Sequence, residues 1–170
     1  MIGNILLYIM LSGYFVQADV QDDFIDVTPI KEIVWWNTTG GKVIQQKDQN
    51  ESSCSLILDD NSETIAITWD SNLAYMTFLK SSWNLIGSTS QVAVQIGDIW
   101  LENGNGTPNI EAQAERSAFM IPIKQQIIDL LVTSDHITTK VNNQDYSMKL
   151  NRVKMVVLLT AVNSCRKMIK

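Results

Sequence analysis

One histidine, two cysteines and three prolines in 170 residues leave few groups from which to build a reactive centre. Zinc and iron sites draw on several His, Cys or closely set carboxylate ligands. His136 is the only histidine, and Cys54 and Cys165 lie far outside CxxC spacing, which excludes a His-based metal site and dithiol redox chemistry. Positive charge is also scarce: 13 Lys and Arg face 18 Asp and Glu, for a net charge of −5. That balance argues against a nucleic-acid-binding face and against attraction to anionic lipid. The one basic cluster, Arg166, Lys167 and Lys170, falls where it offsets a terminal helix dipole. Gly104-Asn105-Gly106 has no strand–Gly–helix context and is not a phosphate loop, so no cofactor is expected.

What is present first is an apolar leader. Ile5 to Val16 is almost unbroken, and Val16-Gln17-Ala18 precedes the acidic Asp19. Small or apolar residues at −3 and −1 suit signal peptidase, so residues 1–18 read as a signal peptide cleaved near Ala18. The alternative is a retained anchor, but the run is shorter than the roughly 20 apolar residues that a spanning helix needs. Later in the chain the longest apolar stretch, Met155 to Val162, covers eight residues, so the mature chain is expected to be soluble, without a membrane span. Removing 18 of 170 residues leaves 152, within the size of one domain. The organisation expected is a loose acidic lead over 19–32 and a single domain over 33–170. Secretion or export to a periplasm allows Cys54 and Cys165 to form one disulfide, closing a loop of about 112 residues. Asn37, Asn50 and Asn105 open Asn-x-Ser/Thr triplets, which a eukaryotic secretory pathway could glycosylate.

Periodicity points to an antiparallel α+β fold. Strands are expected at Ile33–Trp36, Lys42–Gln46, Ser55–Leu58, Thr64–Trp69, Ala74–Leu79, Gln91–Ile96 and Asn109–Glu115, from period-two alternation bounded by turn residues. Gly97-Asp98 reads as a bulge before Ile99–Leu101, and Asn103-Gly104-Asn105-Gly106 as a tight hairpin turn. Pro122 reads as the first turn of a helix carrying Ile123, Ile127, Leu130 and Leu131. A hairpin, His136–Val141 with Tyr146–Leu150, then leads to a second helix capped by Asn151. Its inward stripe is expected at Val153, Val157, Ala161 and Cys165, which would aim Cys165 at the sheet. The expected architecture is a sandwich or partial barrel of about seven or eight strands, with two helices packed on one side.

Catalytic signals are weak. Asp135 and His136, read as neighbours on a strand, would point to opposite faces, and no GxSxG elbow presents a serine. Asp59-Asp60, Asp22-Asp23 and Glu111/Glu115 could supply an acid and a base, but most sit in polar turns. Asp98, Glu102, Asn103 and Asn105 lack EF-hand spacing. Of five tryptophans, Trp69 shares a face with Ile65 and Ile67 and belongs to the core. Trp35 and Trp36, adjacent on a strand, should face opposite sides, leaving one to meet a protein or glycan partner. The function these features favour is an exported, non-enzymatic binding or interaction protein. A secreted hydrolase using an Asp/Glu pair, or a structural component of a secreted assembly, are the alternatives. N-terminal sequencing of material recovered outside the cytosol is expected to begin at Asp19; a start at Met1 contradicts the leader reading.

Overall fold

Alternating side chains build an extended antiparallel ladder in the computed structural model. It describes residues 10–11, 14–15, 31–47, 51–60, 63–70, 73–85, 89–102, 106, 108–124, 126–142 and 144–169. Two short strands, β1 (Met10–Leu11) and β2 (Tyr14–Phe15), pair only with each other. The rest of the leader and the lead up to residue 30 lie outside the described residues. The main sheet holds β3 (Lys31–Thr38), β4 (Gly41–Lys47), β5 (Ser52–Asp59), β6 (Thr64–Trp69), β7 (Ala74–Leu79), β8 (Thr89–Ile96), β9 (Ile99–Trp100), β10 (Asn109–Glu115), β11 (Ala118–Pro122), β12 (His136–Val141) and β13 (Gln144–Lys149). Its order is β13-β12-β8-β10-β11-β7-β6-β5-β4-β3, with β9 also on β8. Helix α1 (Gln126–Thr133) precedes β12, and α2 (Arg152–Arg166) follows β13.

The α+β composition and the two helices agree with the periodicity. The strand count does not: one open sheet of eleven strands replaces seven or eight. Three differences stand out, of which the second and third add strands. β3 starts at Lys31, inside the expected lead. β9 folds back on β8 through Gly97-Asp98, where Ile96 pairs with Ile99, so that site is a tight turn with Gly97 at φ 57° rather than a bulge. β11 is an added strand: Pro122 ends it, opposite Tyr75, instead of opening the helix. The proline is tolerated because β10 pairs with β11 only as far as Met120, while toward β7 the next N–H, of Ile123, still donates to the Ala74 carbonyl at 2.9 Å. The Asn103–Asn105 turn lies outside the described residues.

Register defines two faces. Directly opposed residues share a face, and every second residue returns to it. Cys54, Leu56 and Leu58 of β5 therefore lie with Gln45, Val43 and Gly41 of β4 and with Trp69, Ile67 and Ile65 of β6. This face is buried and continues through Met76, Phe78, Phe119, Ile121, Val92, Val94, Ile137 and Met148, joined by Leu131 of α1 and Leu158 of α2 in one core cluster. On the opposite face Ser55 and Thr68 form a buried cross-strand hydrogen bond of 2.8 Å.

Helix α2 lies on the core face above β3–β5. Asn151 caps it, its side chain accepting from the Lys154 N–H at 3.1 Å. The buried stripe is Met155, Leu158, Leu159, Val162 and Cys165; of the expected set Cys165 is fully buried, whereas Val153 and Val157 are exposed. A strict four-residue step advances about 40° beyond a full turn each time, so a row that ends on buried Cys165 begins on the solvent side at Val153. Gly41 lets the helix sit close: a Cβ there would stand 2.8 Å from Leu158 Cδ1. The Cys54–Cys165 disulfide, with Cα atoms 6.1 Å apart, ties α2 to β5. Among the described residues no helix is long and apolar enough to cross a membrane. Reducing the disulfide, or replacing both cysteines by alanine, is expected to cost about 4–5 kcal/mol by loop-entropy arguments. An unchanged denaturant midpoint under reduction would contradict this.

Candidate functional site

Two places in the fold carry unusual side-chain arrangements: the β3 edge and a buried cluster around Glu63. β3 is the last strand of the ladder and pairs only with β4 among the described residues. Its register breaks in the middle, because Val34 opposes Ile44 whereas Trp36 opposes the next residue back, Val43. Trp35 is the inserted residue of a β-bulge, and a bulge interrupts simple alternation. Trp36 shares the core face with Val43, and Trp35 Nε1 donates to Gln45 Oε1 on that same face at 3.2 Å. The expectation that the two indoles face opposite sides is therefore corrected: both lie on the side of α2. Trp35 is half-buried against the core, while Trp36 keeps 47 % of its surface exposed.

An exposed flank of α2 is apolar as well. α2 runs along β4, with Lys154 Nζ donating to the Thr39 carbonyl at 2.9 Å above the β3–β4 turn and Cys165 bonded above β5. The Arg166 guanidinium stands over the Trp69 ring of β6, 5.6 Å from its centroid. The flank of the helix opposite its buried stripe, bearing Val153 and Val157, faces solvent. Val153 is 76 % exposed and Val157 38 %. Ile33, on the core face through its pairing with Gln45, completes an apolar shelf with Trp36 along the edge. Asn37, in β3 beyond Trp36, is exposed; Asn50 and Asn105 lie outside the described residues.

The second place escaped the sequence reading. Glu63 immediately precedes β6, its N–H donating to Asp60 Oδ1 at 3.0 Å and its carbonyl accepting from the Asp60 N–H. Its carboxyl is 4 % exposed, and Oε1 has no hydrogen-bond partner. The Thr139 hydroxyl of β12, also buried, approaches without meeting hydrogen-bond geometry. Burial pushes the Glu63 carboxyl from 4.5 up to about 7; the Asp60 charge adds to the rise, and Lys80 and Thr139 oppose it. Beside it Lys80 Nζ stands 4.8 Å from the Tyr146 ring centroid, and Trp83 packs between Phe119 and Tyr146 at 5.2 and 5.5 Å. An acidic residue leading into a strand looks like turn chemistry in sequence, and nothing local announces its burial by β12, five places away in the strand order.

The remaining acid–base candidates do not assemble. Asp135 lies one residue before β12, so strand alternation does not govern it, and its Oδ1 sits 2.5 Å from His136 Nδ1. The expectation that the two diverge is corrected. That hydrogen bond holds the exposed Asp135 carboxyl below its usual range. Asp135 is the one side-chain hydrogen-bond partner of His136 among the described residues, so the pair has no nucleophile attached. Glu111 and Glu115 stand exposed on the outer face of β10. Trp69 and Trp83 are buried, and Trp100 is exposed on β9. Comparison with protein-family models, with curated proteins and with solved structures finds no match.

The Glu63 carboxyl makes a signed prediction. Its folded value lies above its unfolded one, so the native state holds a proton that the unfolded state releases between about pH 4.5 and 7, and stability falls as pH rises through that window. Glu63→Gln is expected to stabilise the protein by about 1–3 kcal/mol at pH 8 and to change little at pH 4. Denaturant unfolding at the two pH values checks it; an equal effect at both overturns the assignment.

Proposed function

We propose that this chain is an exported, non-enzymatic binding protein whose contact surface is built on Trp35 and Trp36. The observation that carries this reading is the half-exposed indole of Trp36, held beside Trp35 on a bulged edge strand with Ile33 exposed on the same face. A large aromatic fixed on rigid structure at a sheet edge presents contact area at low entropic cost, which is how interface hot spots are built. Exposed apolar groups in a row are otherwise a liability that surfaces avoid. The disulfide supports export, because such bonds persist in oxidising compartments. On this reading the leader of residues 1–18 is removed and a single domain, from the β3 edge to α2, acts outside the cytosol.

The same proposal takes the sheet to be curled into a partial barrel. Two ring contacts link Phe119 to Tyr146 through Trp83, although their strands are four places apart, a gap of four spacings of about 4.8 Å in a flat sheet. The approach of Thr139 to Glu63 spans five places. Strong coiling around the core face accounts for both. The hydrolase alternative would rest on Glu63, a carboxyl with a raised pKa, but that residue is sealed from solvent and so from substrate. The structural-component alternative would use the same uncovered β3 edge.

Trp36→Ala is expected to change folding stability by about 1 kcal/mol or less, as an exposed position should. It is also expected to abolish cross-linking of a partner in the native extracellular or periplasmic fraction by a photoreactive residue at Asn37. Cross-linking that survives in Trp36→Ala would overturn the assignment of this surface.

A further inference from the structure

The β3 edge carries a charge pattern that narrows what can bind it. Lys31 and Lys47 oppose each other directly across β3 and β4, and both fall on the core face, in line with Ile33 and Gln45. Like charges placed opposite each other destabilise a ladder. Neither lysine has an ion-pair partner among the described residues. A third cation, Lys154, sits over the β3–β4 turn at the far end of the shelf. The charged residues of β3 and β4 are thus Lys31, Lys42 and Lys47 against Glu32, in a chain whose net charge is −5. Glu32 opposes Gln46 and therefore lies on the outer face, away from Lys31 and Lys47.

We infer that β3 accepts an extended acidic segment of a partner protein as an added strand, with carboxylates against Lys31 and Lys47 and apolar side chains on Ile33 and Trp36. This rests on the binding reading above and specifies its chemistry. The outer edge of β3 offers a row of backbone donors and acceptors, and strand addition takes its affinity from them and its specificity from alternate side chains. The occupying strand carries, on the face toward α2, acidic residues at the Lys31 end and apolar ones beside Ile33 and Trp36. A second copy of the chain fits poorly, since its own β3 has no carboxylate on the core face and would bring another Lys31–Lys47 pair.

The test uses the full chain and a synthetic peptide that alternates threonine with valine, phenylalanine, glutamate and glutamate, in that order, titrated by fluorescence anisotropy. Saturable binding is expected, weakened about tenfold by Lys31→Glu with Lys47→Glu and by Trp36→Ala. The charge-reversed chain should instead prefer the peptide in which lysines replace the glutamates. N-methylation of one alternate set of peptide amides should abolish binding, while methylation of the other set leaves it intact, because an added strand donates from one side only. All three substituted residues are exposed, so the variants should keep the parent thermal midpoint. No binding, or binding indifferent to charge reversal or to the position of the methyl groups, overturns strand addition. The broader reading would still stand if Trp36→Ala continued to abolish partner cross-linking. Tighter peptide binding on reversal of Asp22, Asp23 and Asp26 to lysine would make the chain's own acidic segment the occupant and overturn a partner in trans.

Discussion

The attachment of α2 to the core face of β4 and β5 is the constraint on which the edge of this molecule depends. The disulfide fixes the C-terminal end of the helix over β5, and the fit of Leu158 against Gly41 fixes its middle over β4. The contact of Lys154 with the Thr39 carbonyl holds the first turn over the β3–β4 hairpin. Three anchors along one helix leave little freedom to rotate, so the flank with Val153 and Val157 is held toward solvent. Helical geometry then makes the consequence unavoidable. A helix whose buried stripe is Met155, Leu158, Leu159, Val162 and Cys165 must turn its Val153–Val157 row outward.

Strand β3 is shaped by the same anchoring. The core cluster ends at β4, where Val43 and Ile44 are fully buried on opposite faces, and β3 beyond it is exposed along most of its length. A plain strand there would have put one indole on each face. The inserted Trp35 gathers both on the helix side, with Trp35 packed inward and hydrogen-bonded to Gln45. Trp36 is left as the exposed member. The bulge thus converts two adjacent aromatics into one half-buried support and one exposed indole on the same face, the arrangement that the proposed recognition surface would use.

Regions of clean alternation were legible in the sequence to the residue: Thr64–Trp69, Ala74–Leu79, Asn109–Glu115 and His136–Val141 match their strands end to end. The Asn151 cap and the pairing of Cys54 with Cys165 were legible too, because a local capping signal and a count of two leave few alternatives. What failed depended on information that periodicity does not hold. β11 ends in a proline, and Pro122 carries the same local signal at a helix start as at a strand end; the choice was made by pairing with β7. The bulge at Trp35 is visible only against β4. Glu63 reads as one more acidic turn residue, and its altered chemistry comes from burial, which no local pattern announces.

Lysines on an edge strand are also a device by which soluble proteins prevent unwanted pairing, and the placement of these lysines distinguishes that role from recognition. A protective charge works best where it interrupts the apolar stretch. Lys31 and Lys47 stand together at one end of the shelf, while Ile33, Val34 and Trp36 follow without a charge among them. Val34 is 54 % exposed on the outer face, so neither side of the strand middle is shielded. Such an arrangement repels a neutral or basic strand only near its first residues and rewards an acidic one at the same point. In the proposed complex it would set register and partner choice more than forbid pairing, because complementary charge at one end of an added strand fixes where the apolar contacts must fall. In the proposed complex, the cost of holding two like charges opposite each other would be offset by the carboxylates of the added strand.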